Sequence, residues 1–234
     1  MGVYAYCVTD AGHGPPDGLA GLGGSAVRAM PVDGLIVWVS DIEARPEVAF
    51  EAVATHHEIV SCAASLGSVA PLQFGAWVPV EPALRQRVSA SKAGLVHTLR
   101  AVEGSVELGV RIVERADAGQ AREEGEPSGR GADDRAEGPG RAYMRRLSDE
   151  WSRRRARRAL QDALAEQVSG VLAGVSREQR VQHLEAPELV ALAHLVRRDQ
   201  EGEYRRRIGA FASRAELEVH LSGPWPPYSF ARTT

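Results

Sequence analysis

The spacing of apolar and polar positions predicts a mixed α and β protein. Val3–Val8 is a short apolar strand, followed by turns rich in Gly and Pro through Gly24. Val27–Met30 and Leu35–Ser40 flank Pro31-Val-Asp-Gly34, and Asp-Gly between two apolar runs is a hairpin signal. Ala49, Val53, His56, Val60 and Ala63 then recur at the three-to-four spacing of one buried helical face, which predicts a helix from Pro46 to Leu66 stopped by Gly67. Val69–Val78 reads as a strand. Glu81–Val102 reads as a second helix, with Leu84, Val88, Ser91, Leu95 and Leu99 on one stripe and Gly104 closing it. Residues 1–104 are thus expected to form an α/β domain of four strands and two helices.

The pattern restarts beyond Gly104. Val106–Val113 alternates apolar and polar residues, as a half-buried strand does. Tyr143–Val175 is expected to be one long helix whose buried side carries Leu147, Trp151, Leu160, Leu164, Val168 and Val171. Arg180–Glu185 and Glu188–Val196 read as strands joined by a turn at Ala186-Pro187, Gln200–Arg214 as a helix, and Ala215–Leu221 as a final alternating strand. The order βαββαβ is that of a ferredoxin-like sheet, so residues 105–234 are expected to be a second, ferredoxin-like α+β domain. On this reading Val106–Val113 lies beside Leu217–Leu221 in the middle of the sheet, and the tail leaves from the centre. Ala116–Gly140 interrupts the pattern with six glycines, ten charged residues and no large apolar side chain. Such a stretch cannot offset its ordering entropy, and it reads as a flexible insertion.

Composition narrows the function. With 44% hydrophobic and 25% charged residues over 234 positions, the chain is that of an ordinary soluble globular protein. A formal charge of −3 gives no global attraction for nucleic acid or for an anionic membrane, and neither partner is expected. No charged leader precedes an apolar stretch, no run is long enough to span a bilayer, and Cys7 and Cys62 lack a metal-ligand spacing. A reducing, cytoplasmic setting is the expectation.

Candidate chemistry is sparse. His56 and His57 are adjacent on a helix and point about 100° apart, so they cannot share one metal. Gly21-Leu-Gly-Gly24 lacks the Lys-Ser/Thr of a phosphate cradle. His13, His97, His183, His194 and His220 form no ligand-like group, and no catalytic, cofactor-binding or metal residue is assigned. Arg145, Arg146, Arg153, Arg154, Arg155, Arg157 and Arg158 form the one charge run, read as a solvated helix face or as a dock for an acidic partner surface.

The tail carries the most particular signal. In Gly223-Pro-Trp-Pro-Pro-Tyr-Ser-Phe230, Pro224, Pro226 and Pro227 remove three backbone donors, so no sheet ladder is expected beyond Gly223. Trp225, Tyr228 and Phe230 hang from the stiffened backbone as anchors. Either the segment folds back as a strap over the second domain's sheet, or it stands out as a polyproline-like epitope.

This tail closely resembles the end of the gas vesicle F/L-type proteins, accessory proteins of the gas-filled protein nanocompartments of bacteria and archaea. Val69-Ala-Pro-Leu-Gln-Phe-Gly-Ala-Trp77 resembles the family's Pro-x-Arg-Phe-Gly signature, with Pro71, Phe74 and Gly75 in register and Gln73 where the family has a basic residue. Tyr4-Ala-Tyr6, His56-His57 and Leu192–Asp199 are similar to further family segments. The resemblance implies a two-domain cytoplasmic protein of gas vesicle assembly, associated with the small hydrophobic shell protein and with other gas vesicle accessory proteins, and not an enzyme. Under it, Pro71, Phe74, Gly75, Gly223, Pro224, Trp225, Pro226, Pro227, Tyr228 and Phe230 are the structural or partner-binding residues. The residues alone leave a second class open, a small-molecule-binding or enzymatic module on a ferredoxin-like fold, which would show a deep pocket with convergent polar groups.

Overall fold

A computed structural model of the 234-residue chain describes residues 1–113, 139–185, 188–214 and 217–231. Those residues form a mixed α+β architecture of two antiparallel sheets and five helices. The expected insertion Ala116–Gly140 lies outside the described residues except for its last two, which open a helix, and the expected turn at Ala186-Pro187 lies outside them too.

The first sheet is built on β1 (Gly2–Asp10), with β2 (Arg28–Val32), β3 (Leu35–Ile42), β4 (Val69–Pro71) and β5 (Trp77–Val78). Its order is β2-β3-β1-β4, and β5 pairs with β1. The β2–β3 hairpin turns at Asp33 and Gly34, both at positive φ, as the Asp-Gly pair predicts. β1 is buried on both faces, which is why it reads as an apolar run without alternation. Val3, Ala5 and Val8 face α2 (Glu81–Ala90) and α3 (Lys92–Ala101), whereas Tyr4, Tyr6 and Cys7 face α1 (Phe50–Leu66). A register shift between Ala5 and Cys7 puts Tyr6 and Cys7 on the same side.

Three expectations for this half need correction. Val69–Val78 is two short strands, because the chain leaves the ladder at Pro71 and turns at Gly75 (φ 91°) before re-pairing at Trp77. Glu81–Val102 is two helices broken at Ser91 (φ −95°, ψ 4°). The first helix begins at Phe50 and not Pro46, and its buried face is His56, Ile59, Val60, Ala63 and Ala64, with Val53 exposed. Because the sheet is antiparallel, the α/β expectation gives way to α+β.

The second sheet contains β6 (Ser105–Val113), β7 (Ser176–His183), β8 (Glu188–Arg197) and β9 (Glu218–Trp225) in the order β7-β8-β6-β9. Val106, Leu108, Val110 and Ile112 alternate onto the face covered by α4 (Pro139–Val171) and α5 (Glu201–Arg214), where Leu164, Val168, Leu172, Tyr204 and Ile208 complete the core. β9 does lie beside β6, but at the edge of the sheet, so the tail leaves from an edge and not from the centre. Pairing also runs past Gly223, with Trp225 opposite Glu107 across a register shift that accommodates Pro224.

Helix α4 outruns its sheet. Gln161 donates to the carbonyls of Leu184 and Leu189 at the end of the β7–β8 pair, and Arg157 donates to Glu188 O. Trp151, upstream of these contacts, is 68% exposed, and Leu160, between them, is also exposed, so neither marks a buried side. Leu147 is half-buried.

Candidate interaction site at the C-terminal strap

The strap begins where β9 meets β6. Gly223 sits at φ 94°, and a Cβ there would lie 2.6 Å from Glu107 O, so both the backbone conformation and the close approach require glycine. Arg205 donates to Gly223 O at 2.8 Å, tying the turn to α5. The Gly223–Pro224 peptide is cis. Pro226 and Pro227 are buried, and the carbonyl of Pro227 accepts from the N–H groups of Phe230 and Ala231, so the segment closes in a turn. Inside it, Ser229 donates its backbone N–H and its hydroxyl to the Glu107 carboxylate at 2.8 and 2.7 Å. Burial pushes the Glu107 carboxyl above its usual range, and these two donors oppose the shift.

The three rings part company. Phe230 is 6% exposed and packs on Val102 at the end of α3 and on Leu195 of β8, with the Arg180 guanidinium 5.8 Å from its ring centroid. Tyr228 packs on the α1 side of the first sheet, 6.0 Å from the His57 ring, and burial raises its phenol pKa. Trp225 meets His57 edge-on at 5.2 Å but stays 42% exposed. The expectation that all three cover the second sheet therefore holds for Phe230 alone. Tyr228 crosses to the other half of the molecule and Trp225 is presented to solvent.

Beneath the strap, a cleft of about 340 Å³ separates the C-terminal turns of α1 from the start of β6. Pro224–Pro227 roof it, and Arg198 reaches across it to Ala64 O, the end of α1 whose carbonyls lack helical partners.

The Pro71–Gly75 motif supports a buried polar chain. The carbonyl of Leu72 can only accept, so His56 carries its proton on Nε2 and donates there at 3.1 Å, leaving Nδ1 to accept from the Tyr4 hydroxyl at 2.8 Å. Gly75 N–H in turn donates to the Tyr4 hydroxyl oxygen at 3.1 Å, while Phe74 packs edge-on against His56. Burial lowers the His56 pKa to about 4 and raises that of Tyr4 to about 12. Gln73 points to solvent, away from this group. The second half repeats the device: Tyr204 donates to His194 Nδ1 at 2.8 Å, His194 Nε2–H donates to Gln179 at 2.9 Å, and burial lowers the His194 pKa to about 4. Both imidazoles are neutral hydrogen-bonding struts. His57 is half-buried under Trp225 and Tyr228, and no group of three or more metal-ligating side chains exists among the described residues.

Pro71 is thus buried and Phe74 and Gly75 half-buried in the first half, and the residues from Gly223 to Phe230 bridge both halves. Sequence reasoning missed Glu107, Ser229 and Arg205. Glu107 had only one signal, its place on the polar side of an alternating strand.

The family model of the gas vesicle synthesis protein GvpL/GvpF matches residues 2–232. Gas vesicle protein L of Streptomyces sp. (strain CB03234) is 26% identical over 250 residues, covering 97% of this chain and 92% of the relative. Among solved structures, the crystal structure of gas vesicle protein GvpF from Microcystis aeruginosa is similar with a TM-score of 0.75 at 19% identity, covering 99% of each chain. GvpF from Anabaena sp. PCC7120 has a TM-score of 0.74 at 18% identity, covering 99% of this chain and 96% of its own. Matched by the family model over residues 2–232, the chain belongs to the GvpL/GvpF family of gas vesicle synthesis proteins, which gives it an accessory role in gas vesicles.

Proposed function

We propose that the chain is an accessory and minor structural protein of gas vesicle assembly, working in the cytoplasm on the growing vesicle by associating with the small hydrophobic shell protein and with other gas vesicle proteins. One observation carries this: an anchored strap presents Trp225 and Leu221 to solvent beside an open strand edge. β9 has no outer neighbour among the described residues, and Glu218–Ser222 precede the first proline, so their backbone can accept an added strand. A hydrophobic subunit would find main-chain hydrogen bonds there and an indole at the end of the edge. On this reading Phe74, Gly75, Gly223, Pro226, Pro227, Tyr228 and Phe230 hold the surface in place, Pro71 ends the strand leading into the Tyr4–His56 group, and Pro224 and Trp225 face the partner. The role is not enzymatic.

The reading includes two units, residues 1–104 and 105–234, the second ferredoxin-like. Its support is the βαββαβ element order combined with the strand order β7-β8-β6-β9.

Co-expression of the full chain with the shell protein, followed by affinity capture, tests the contact. The double variant Leu221→Ala/Trp225→Ala should lose most of the captured shell protein while its circular dichroism remains that of the folded parent. Undiminished capture by that variant would remove this surface from the proposal.

A further inference from the structure

Two exposed apolar patches lie at opposite ends of the molecule and carry opposite charge. The first is on the protruding part of α4. Tyr143, Met144, Leu147 and Trp151 fall within about 100° of one another around the helix, and Tyr143, Met144 and Trp151 are exposed. Between Arg141 and Arg158 this segment has eight arginines against two acids, Asp149 and Glu150. The second patch is at the start of α1, where Val48 and Phe50 are each 86% exposed beside the exposed Val53. Glu43, Glu47 and Glu51 flank it along the chain, against the single cation Arg45, and the three glutamates make no ion pair with any described residue.

The topology keeps the patches apart. The last turns of α1 line the central cleft, so Phe50 lies roughly 24 Å away along the helix axis on the first half's far side. In the other half the start of β6 lines the same cleft. Ser105 pairs with Arg197, and Ser176, just after α4, pairs with Val196, so α4 ends near the cleft. Its other end passes the sheet at Gln161, and Tyr143 stands about 27 Å further out.

We propose that these surfaces are the two sides of one contact between copies of this chain, the basic apolar stripe of α4 in one copy docking on the acidic apolar start of α1 in the next. Charge selects this pairing. Stripe against stripe would oppose two strongly basic helices. An anionic membrane would have to bury Arg154 and Arg158, which continue the angular position of Leu147 and Trp151 and already meet Glu150 and Asp162 of their own helix, whereas facing carboxylates can share them. A contact between different patches at opposite ends is head-to-tail, and it propagates instead of closing at two copies. This association needs no other component and stands apart from the shell-protein reading.

Sedimentation equilibrium of the purified full chain, from the low micromolar to the several-hundred-micromolar range, reads it out. The average mass should rise steadily with concentration, without a plateau at two copies, and raising the ionic strength severalfold should weaken association. Val48→Ser/Phe50→Ser and Leu147→Gln/Trp151→Gln should each weaken self-association by about tenfold or more, with circular dichroism unchanged. Mixing the two variants should restore association only as far as a dimer, since each supplies one intact surface. A parent that stays monomeric, or a Val48→Ser/Phe50→Ser variant that associates as well as the parent, overturns the proposal. So does a parent that remains monomeric but binds phosphatidylserine vesicles through Trp151.

Discussion

Replacing Phe230 by Ala removes the best-buried ring of the strap. Its side chain is 6% exposed between Val102 and Leu195, two residues that are themselves 2% exposed. Losing the transfer free energy of a buried phenyl and leaving a gap costs about 3–5 kcal/mol in a well-packed core. This cluster is small and close to solvent, so about 3 kcal/mol is the reasoned value. Trp225, at 42% exposure, has a little over half of its side chain buried and should cost about 2 kcal/mol on the same transfer scale. For a chain of this length each kcal/mol moves Tm by about 2–4 °C, so Phe230→Ala should melt roughly 6–12 °C below the parent and Trp225→Ala roughly 4–8 °C below it. Urea unfolding followed by circular dichroism gives the same ordering in free energy. If the two variants are equally stable, or if Trp225→Ala is the worse, the division of the strap into a buried anchor and a presented ring is wrong.

Glu107→Ala should destabilise by about 0.5–1.5 kcal/mol, because the Ser229 N–H and hydroxyl lose their protein acceptor at an exposed site, while Glu107→Gln keeps an acceptor and should stay near the parent in urea unfolding. Gly223→Ala should cost more than about 1 kcal/mol, since Ala resists φ 94° and its Cβ meets Glu107 O; a neutral result in the same assay would contradict the strand geometry. His56 and His194 hold folded pKa values of about 4 against 6.5 in the open chain, so the unfolded state binds more protons between those limits. Stability should therefore fall as pH drops from 6.5 toward 4, by up to about 3 kcal/mol per histidine, and a flat profile of unfolding free energy over that window would refute the neutral-strut assignment.

Much of the fold was legible because local chemistry and tertiary placement agree. Asp33-Gly34 specifies its own turn, and the alternation of Val106–Ile112 names the face that α4 and α5 cover. Elsewhere only the surroundings decide. Leu84, Val88, Leu95 and Leu99 keep one stripe across the break at Ser91 because both helices lie on the same sheet face, so periodicity cannot reveal the break. Trp151 satisfies the helical pattern as well as Leu164 does, but the sheet ends before reaching it. The strap's anchors could be recognised from size and proline stiffening, yet their destinations depend on where α1 and β8 come to lie, which separates Tyr228 from Phe230.

An assembly role in gas vesicles is measured most directly by vesicle yield in a gas-vesicle-forming cell from which this chain has been removed. Pressure-sensitive turbidity and buoyancy should collapse, and the intact chain, but not one truncated after Ser222, should restore them. Vesicles of normal number and collapse pressure forming without the chain would contradict an assembly role.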